Sequence, residues 1–492
     1  MFQRSSGVLI HITSLPGPFG IGDLGPSAYE LIEMLAASGT RYWQMLPLNP
    51  LGFGASPYAS PSSRAGNDLL ISPELLAEDG LVDPVEPMRS GDRVRYGPVA
   101  DQKRALIAES ASRLTEAHIR GLSDFRDRER DWLEPYSLFM AIKNAHGNAS
   151  WVGWPTELRR REAGALAVAR ELLSEEMRLI ELGQYLFHDH LMRLRNFAGE
   201  RGVGLIGDLP IYVATDSVDV WTRPELFSID PMTSELTDVA GVPADPLSPT
   251  GQEWGMPTYR WERHFADGFS WWIDRLRRAL QRSDVLRIDH FTGFYRYYSI
   301  PADSRDPRDG DWLEGPGMAF FERLRSELGD LPMIAEDIGP IMEEVDRFRR
   351  RVGFPGIRVL LEAFDGQGEP TRKPENYPVD CVVYTGTHDY DSAMGWLASA
   401  DDSNRRLALS YTRGGSDTFA FDLITRAWES PQVVAVAPMQ DLLGLGSEAR
   451  MNAPGTVDSN WEWRLSDFSK LGEVADLLTD LNTRFGRNRT GD

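Results

Sequence analysis

The chain of 492 residues is 41% hydrophobic and 26% charged, proportions of a folded globular protein with room for a sizeable core. Its 52 Lys and Arg against 74 Asp and Glu leave a formal charge of −22, which keeps a protein soluble, repels nucleic-acid phosphates and anionic lipid surfaces, and leaves a neutral substrate unaffected. The single cysteine, Cys381, excludes an intrachain disulfide and reads as a small buried hydrophobe; no apolar run approaches the roughly 18 residues that span a membrane, and without a charged-then-apolar leader the expected location is cytoplasmic.

In chain order, short apolar, β-branched runs alternate with long amphipathic stretches, the pattern of strands and helices around a parallel sheet. The first two runs cover residues 7–12 and 42–48. About 150 residues then intervene before the third, far more than a βα loop needs. Within them Leu173, Met177, Ile180, Phe187, Leu191 and Leu194 share one helical face, so residues 52–200 are expected to form a mostly helical inserted subdomain. The third run covers 204–213. After it, residues 240–260 are rich in Gly and Pro and are predicted to form a lid loop. Five more runs follow at 285–291, 332–338, 357–364, 381–387 and 432–438. Eight parallel strands close most economically into a (β/α)8 TIM barrel, so residues 1–492 read as one catalytic α/β barrel with long βα loops over the active site; an open doubly wound sheet is the alternative.

Four of these runs end on acids: Asp208, Asp289, Glu336 and Asp389. A lone Asp there could cap a helix or close a turn, but four converge where barrel enzymes assemble their active sites. Residues two apart in a strand face the same side, so Arg287 and Asp289 both point into the barrel mouth. The cation keeps Asp289 ionised, as a nucleophile requires, unless the two form only a structural ion pair. Glu336 follows an apolar run, and burial there leaves it a proton to donate near neutral pH. Two carboxyls in opposite protonation states are what cleavage of a glycosidic bond needs. Among 14 Trp, 15 Tyr and 21 Phe, Trp254 in Gly251-Gln252-Glu253-Trp254-Gly255-Met256-Pro257 and Tyr58 in Gly54-Ala55-Ser56-Pro57-Tyr58 stand outside periodic apolar runs, as platforms for sugar rings would; most of the others are expected in the core.

These segments resemble the amylomaltase (4-α-glucanotransferase) family of the α-amylase-like clan, over residues 7–464. Gly7-Val8-Leu9-Ile10-His11 with the stretch from Thr13 to Gly25 is similar to the family's first strand and loop, and Ile206 to Val213 to its third strand. Arg287 to Phe291, Ala335 to Gly339 and Thr385 to Asp389 are similar to its catalytic segments; Gly446 to Asn452, Pro454 to Thr456 and Asn460-Trp461 are similar to its C-terminal signature.

The resemblance implies a retaining transfer through a covalent glucosyl intermediate on Asp289, with Glu336 as acid and then base and Asp389 as the third catalytic acid. Asp389 with His388 would hold the reacting glucose, and Arg287 and Asp208 would shape the same subsite. Ser56, Tyr58, Asp245, Gln252, Trp254, His290 and Asn460 complete the implied substrate contacts. Maltooligosaccharides and α-1,4-glucans would serve as donor and acceptor and glucose as acceptor, with no cofactor, metal, nucleic acid or membrane; no residue pattern speaks to the oligomeric state. The chain departs from the family pattern at Pro246-Leu247 (usually Tyr-Phe), Met256 (usually Asn), Thr292 (usually Arg) and Tyr390 (usually Asn), which bears on donor length, acceptor choice and cyclisation. An amylase-type α-1,4-glucan hydrolase would use the same acids, differing in how well water is excluded. A glucan-binding barrel without catalysis would not need all three acids, and a metal-dependent sugar isomerase would want more than His290 and His388 beside them.

Overall fold

A computed structural model describes residues 2–88, 91–244, 250–304, 306–338, 343–364 and 372–488. Among them the strands are, in chain order, β1 (Ser5–Leu9), β2 (Tyr42–Gln44), β3 (Gly204–Leu209), β4 (Asp238–Val242), β5 (Gln252–Pro257), β6 (Val285–Ile288), β7 (Arg296–Pro301), β8 (Asp311–Glu314), β9 (Met333–Ala335), β10 (Gly356–Val359), β11 (Cys381–Tyr384) and β12 (Val434–Pro438). Eight of them close a parallel barrel in the order β1-β12-β11-β10-β9-β6-β3-β2, so the chain visits neighbouring barrel strands in sequence and returns to its start. These eight are the apolar runs predicted from the sequence, and in β2, β3, β6, β9, β10 and β11 the last residues of the run leave the ladder at the mouth. In β6 the ladder stops at Ile288, and Asp289 to Phe291 turn over the rim.

Between β2 and β3 the insertion is helical. Its two long members, Glu116–Ala145 and Ser174–Glu200, pack on each other. Thr115 and His118 close a capping box at the start of the first. The second buries Met177, Phe187, Leu191 and Leu194 of the face read from the sequence, with Leu186 beside them, while Ile180 and Leu173, the residue before the helix, stay half-buried. The insertion is tied to the barrel by Lys103, whose buried ammonium donates to Asp23 of the β1 loop and to the Ile71 carbonyl.

The described residues of the segment 240–260 are not loop throughout. They include β4 and β5, which pair antiparallel; β4 also pairs antiparallel with β7, and β8 completes a four-stranded sheet, β5-β4-β7-β8, beside the mouth. Glycines and prolines hide this pairing in the sequence, because its partner strand lies more than 40 residues away. Cys381 is buried, as expected, and burial pushes its thiol up to about 12. Among the described residues no helix is long and apolar enough to cross a membrane.

Barrel closure also depends on Asn482 in the last helix, Leu471–Phe485. Its buried amide accepts from the Ser6 hydroxyl (2.7 Å) and Trp428 Nε1 (2.8 Å) and donates to the Ser38 carbonyl (2.9 Å), joining β1, the helix after β11 and the helix after β1. Asn482→Ala strands these partners without water access. We expect a loss of roughly 2–4 kcal/mol, read as a lowered thermal unfolding temperature with unchanged far-UV circular dichroism at 20 °C or about that.

Candidate active site at the barrel mouth

Strand register brings the acids together. β3 pairs Asp208 with Arg287, and β6 pairs Ile288 with Ala335. One residue further on, Asp289 N–H donates to the Leu209 carbonyl (3.0 Å) and Glu336 N–H to the Ile288 carbonyl (2.9 Å). Asp289 and Glu336 therefore hold equivalent positions on adjacent strands, about 4.8 Å apart in backbone spacing.

Arg287 organises one side. One guanidinium nitrogen donates to both oxygens of Asp208 (2.8 Å each) and to Oδ1 of Asp289 (2.9 Å). Burial works against the guanidinium charge, yet Asp208 and Asp289 together hold its pKa well above the usual value. Side-chain exposure is 0% for Asp208, 4% for Arg287 and 27% for Asp289, so of the three only Asp289 can be reached by a ligand. Asp208 also accepts from the Tyr58 hydroxyl (2.8 Å); burial raises its pKa, with Arg287 opposing. Tyr58 keeps its proton, because burial and then Asp208 push it far upward.

Glu336 lies in the opposite environment. Burial, reinforced by the Asp289 charge and opposed by Arg287, pushes it from 4.5 up to about 8. Its oxygens accept from backbone N–H groups of His290 (2.6 Å) and Ile338 (2.9 Å). The first of these bonds depends on a left-handed backbone at His290 (φ 48°), an uncommon conformation for a residue with a side chain. The His290 ring is buried and neutral, its pKa pushed down to about 4 by burial.

Asp389 reaches the same mouth from β11. Its Oδ1 accepts from Asn452 (2.6 Å), its Oδ2 lies 3.3 Å from His388 Nε2, and Arg450 binds its carbonyl (2.9 Å). The His388 ring stacks on Tyr58, with centroids 5.2 Å apart and 15° between planes, and Trp461 lies beside both. Asn452, Arg450 and Trp461 were not singled out from the sequence; the only signal was their place in the C-terminal motif. The Tyr58 loop is pinned by Gly52, where a Cβ would meet the Ala59 carbonyl at 1.6 Å, and by Gly54 (φ 64°). Ser56 Oγ accepts the Tyr58 N–H (3.2 Å).

Across the mouth, Trp254 in β5 sets its ring edge-on to His290 (5.0 Å, 86°) and donates weakly to Gln252 (3.3 Å). Asn460 is turned inward: its amide binds Ala453 N–H and the Thr456 carbonyl, and so folds the 453–460 loop. Asp245, with Pro246 and Leu247, lies outside the described residues. Tyr390 donates its hydroxyl to Glu362, Met256 is half-buried in β5, and Thr292 sits in the turn after His290. Away from the mouth, Asp79, Asp189 and His190 converge, but Arg193 bridges both carboxylates (2.9 and 2.7 Å) and His190 Nδ1 accepts the Ser72 N–H, which leaves the proton on Nε2. Arg193 thus offsets one of the two carboxylate charges and occupies both carboxylates.

A family model described as 4-alpha-glucanotransferase matches residues 10–470. The chain is 43% identical over 474 residues to the 4-alpha-glucanotransferase of Thermus thermophilus, covering 94% of this chain and 95% of that one. It is 41% identical over 496 residues to the 4-alpha-glucanotransferase of Synechocystis sp., covering 99% and 98%. The amylomaltase from Streptococcus agalactiae, solved in complex with acarbose, is similar with a TM-score of 0.94 at 36% identity, covering 99% of this chain and 100% of that one.

A carboxyl whose folded pKa stands at about 8 rather than 4.5 binds more proton in the folded than in the unfolded state between those values. Its contribution to stability is thus present below about pH 4.5 and is lost as pH rises through about 8. Glu336→Gln, which stays neutral, is expected to gain in unfolding temperature relative to the parent between pH 5 and pH 9; scanning fluorimetry across that range reads the difference.

Proposed function

The chain belongs to the 4-alpha-glucanotransferase family and is a 4-alpha-glucanotransferase, and from that premise we propose that it moves α-1,4-glucan segments by a retaining double displacement on Asp289 and Glu336. The observation that carries this reading is the register of β6 against β9, which leaves the two carboxyls one strand apart with a cation on one and an apolar surround on the other. A retaining pair stands roughly 5–5.5 Å apart, carboxyl to carboxyl, and side chains from equivalent positions on adjacent strands can close to that distance.

In the first displacement a carboxylate oxygen of Asp289 attacks the anomeric carbon of the donor glucosyl unit. The bond to the 4-oxygen of the departing glucan breaks, and Glu336 gives that oxygen its proton. A glucosyl ester on Asp289 remains. In the second, the 4-hydroxyl of glucose or of a maltooligosaccharide attacks the same carbon, Glu336 takes its proton, and the ester breaks. Two inversions restore the α-1,4 linkage, and the sequence of steps balances without a cofactor or metal.

Around this centre Asp389 and His388 hold hydroxyls of the reacting glucose. Arg287 aims Asp289, Asp208 braces Arg287, and the Tyr58 ring supplies a sugar-facing surface. The β4–β5 pair acts as the lid, with Trp254, Gln252 and His290 on the acceptor side, and by family likeness Asp245 contributes to substrate binding. Ser56 and Asn460 act at their loops, Asn460 by shaping the 453–460 turn. The helical insertion of residues 52–200 serves as the scaffold for the Tyr58 side of the cleft.

With maltotriose, Asp289→Asn is expected to lower kcat by at least about 1,000-fold with an unchanged fold, since it removes the nucleophile's charge but little of its shape. The parent enzyme should yield glucose and longer maltodextrins at a constant count of reducing ends. Trp254→Ala should raise the share of donor that ends on water, seen as reducing ends that climb with time. A pH series on kcat/KM should fall as pH rises through about 8, where Glu336 loses the proton it donates.

A further inference from the structure

On the side of the mouth away from β6 and β9, the ends of β1, β2, β11 and β12 line a small, partly open chamber of about 30 Å³. Its wall includes His11, Ser14, His388, Asp391, Gln440 and Arg450. His11 stands two residues past β1 and is 4% exposed, and neither of its ring nitrogens meets a hydrogen-bonding partner among the described residues. A buried imidazole left in this way is unfavourable, and the chamber, with Ser14, Asp391, Gln440 and Arg450 on its wall, has room for about one or two water molecules that would satisfy it. Burial, together with the neighbouring His388, holds the His11 pKa down to about 3, so the ring is neutral and carries one donor and one acceptor.

His388 lines the same chamber. One face of its ring is covered by Tyr58, and its Nε2 lies 3.3 Å from Asp389 Oδ2, which leaves Nδ1 as its remaining hydrogen-bonding atom. A ring that hydrogen-bonds at both nitrogens has its tautomer set by the partner on each. We propose that His11 is a positioning residue for glucan transfer: through solvent in the chamber it holds Nδ1 of His388 and so fixes the proton on Nε2, facing Asp389 and the reacting glucose. The proposal rests on the reading of His388 and Asp389 as the groups that hold that glucose. It gives a reason for a histidine at the end of β1, where an apolar residue would satisfy packing alone.

The test compares His11→Leu, which keeps bulk and loses both hydrogen-bonding atoms, with His11→Gln, which keeps a donor and an acceptor. His11→Leu is expected to lower kcat on maltotriose by about tenfold to a hundredfold with KM within about twofold, and His11→Gln to recover most of the loss. In ring-15N-labelled parent enzyme, with 8 histidines, the His388 signals identified by their loss in His388→Asn should be those of a single tautomer protonated on Nε2, and should average between tautomers in His11→Leu. Parental kcat in His11→Leu, equal losses in the Leu and Gln variants, or averaged His388 signals in the parent would each overturn the proposal. If His11→Leu does not fold, the parent's His388 tautomer decides alone. Asp289→Asn is run alongside: if it is inactive, a negative result removes His11 only, and if it is active, the reading beneath the proposal fails instead.

Discussion

The Arg287 guanidinium, buried between β3 and β9, bonds Asp208 and Asp289 through a single nitrogen, and the rest of the mouth is arranged around it. Removing a cation from water is unfavourable unless carboxylates surround it, and losing one partner would leave an uncompensated charge in the barrel. The three side chains thus stand or fall together. Because Asp208 is wholly covered and Asp289 partly open, the same ion pair that stabilises the core presents one charged oxygen group to the cleft.

One strand over, the same barrel produces the opposite effect. Glu336 sits beyond the apolar Met333–Ala335 strand, and the energy that would ionise it in water is denied by burial and by the charge on Asp289. Its geometry is fixed by backbone N–H groups rather than by a side chain, one of them aimed by the left-handed turn at His290. Strain at that residue is compensated by a bond that sets the proton donor in place.

The third acid depends on a different part of the chain. Asp389 is held by Asn452 and Arg450, some 60 residues later, and the 453–460 turn that follows is built on the Asn460 amide between left-handed Ser459 and Trp461. Tyr58 comes from the start of the insertion, which the Lys103–Asp23 pair anchors to the loop after β1. Distant segments therefore converge on one mouth, each fixed by polar contacts.

Much of this was legible in the residues alone. Apolar β-branched runs at helical intervals determined a parallel sheet, most economically a closed barrel, because a strand buried on both faces must be apolar throughout, and the acids stood out at Asp208, Asp289, Glu336 and Asp389 because they lie at the ends of such runs. The two-residue spacing of Arg287 and Asp289 determined that they share a face. Only the tertiary structure decided which charges meet: Arg287 grips Asp208 as well as Asp289, Asn452 grips Asp389, and Asn460 turns into its own loop. It also decided that β4 pairs with β5 on one side and with β7 on the other. Periodicity and composition report what one segment does against solvent or core, whereas pairing between segments roughly 60 to 80 residues apart is set by how strands and loops converge at the mouth, which no local pattern encodes.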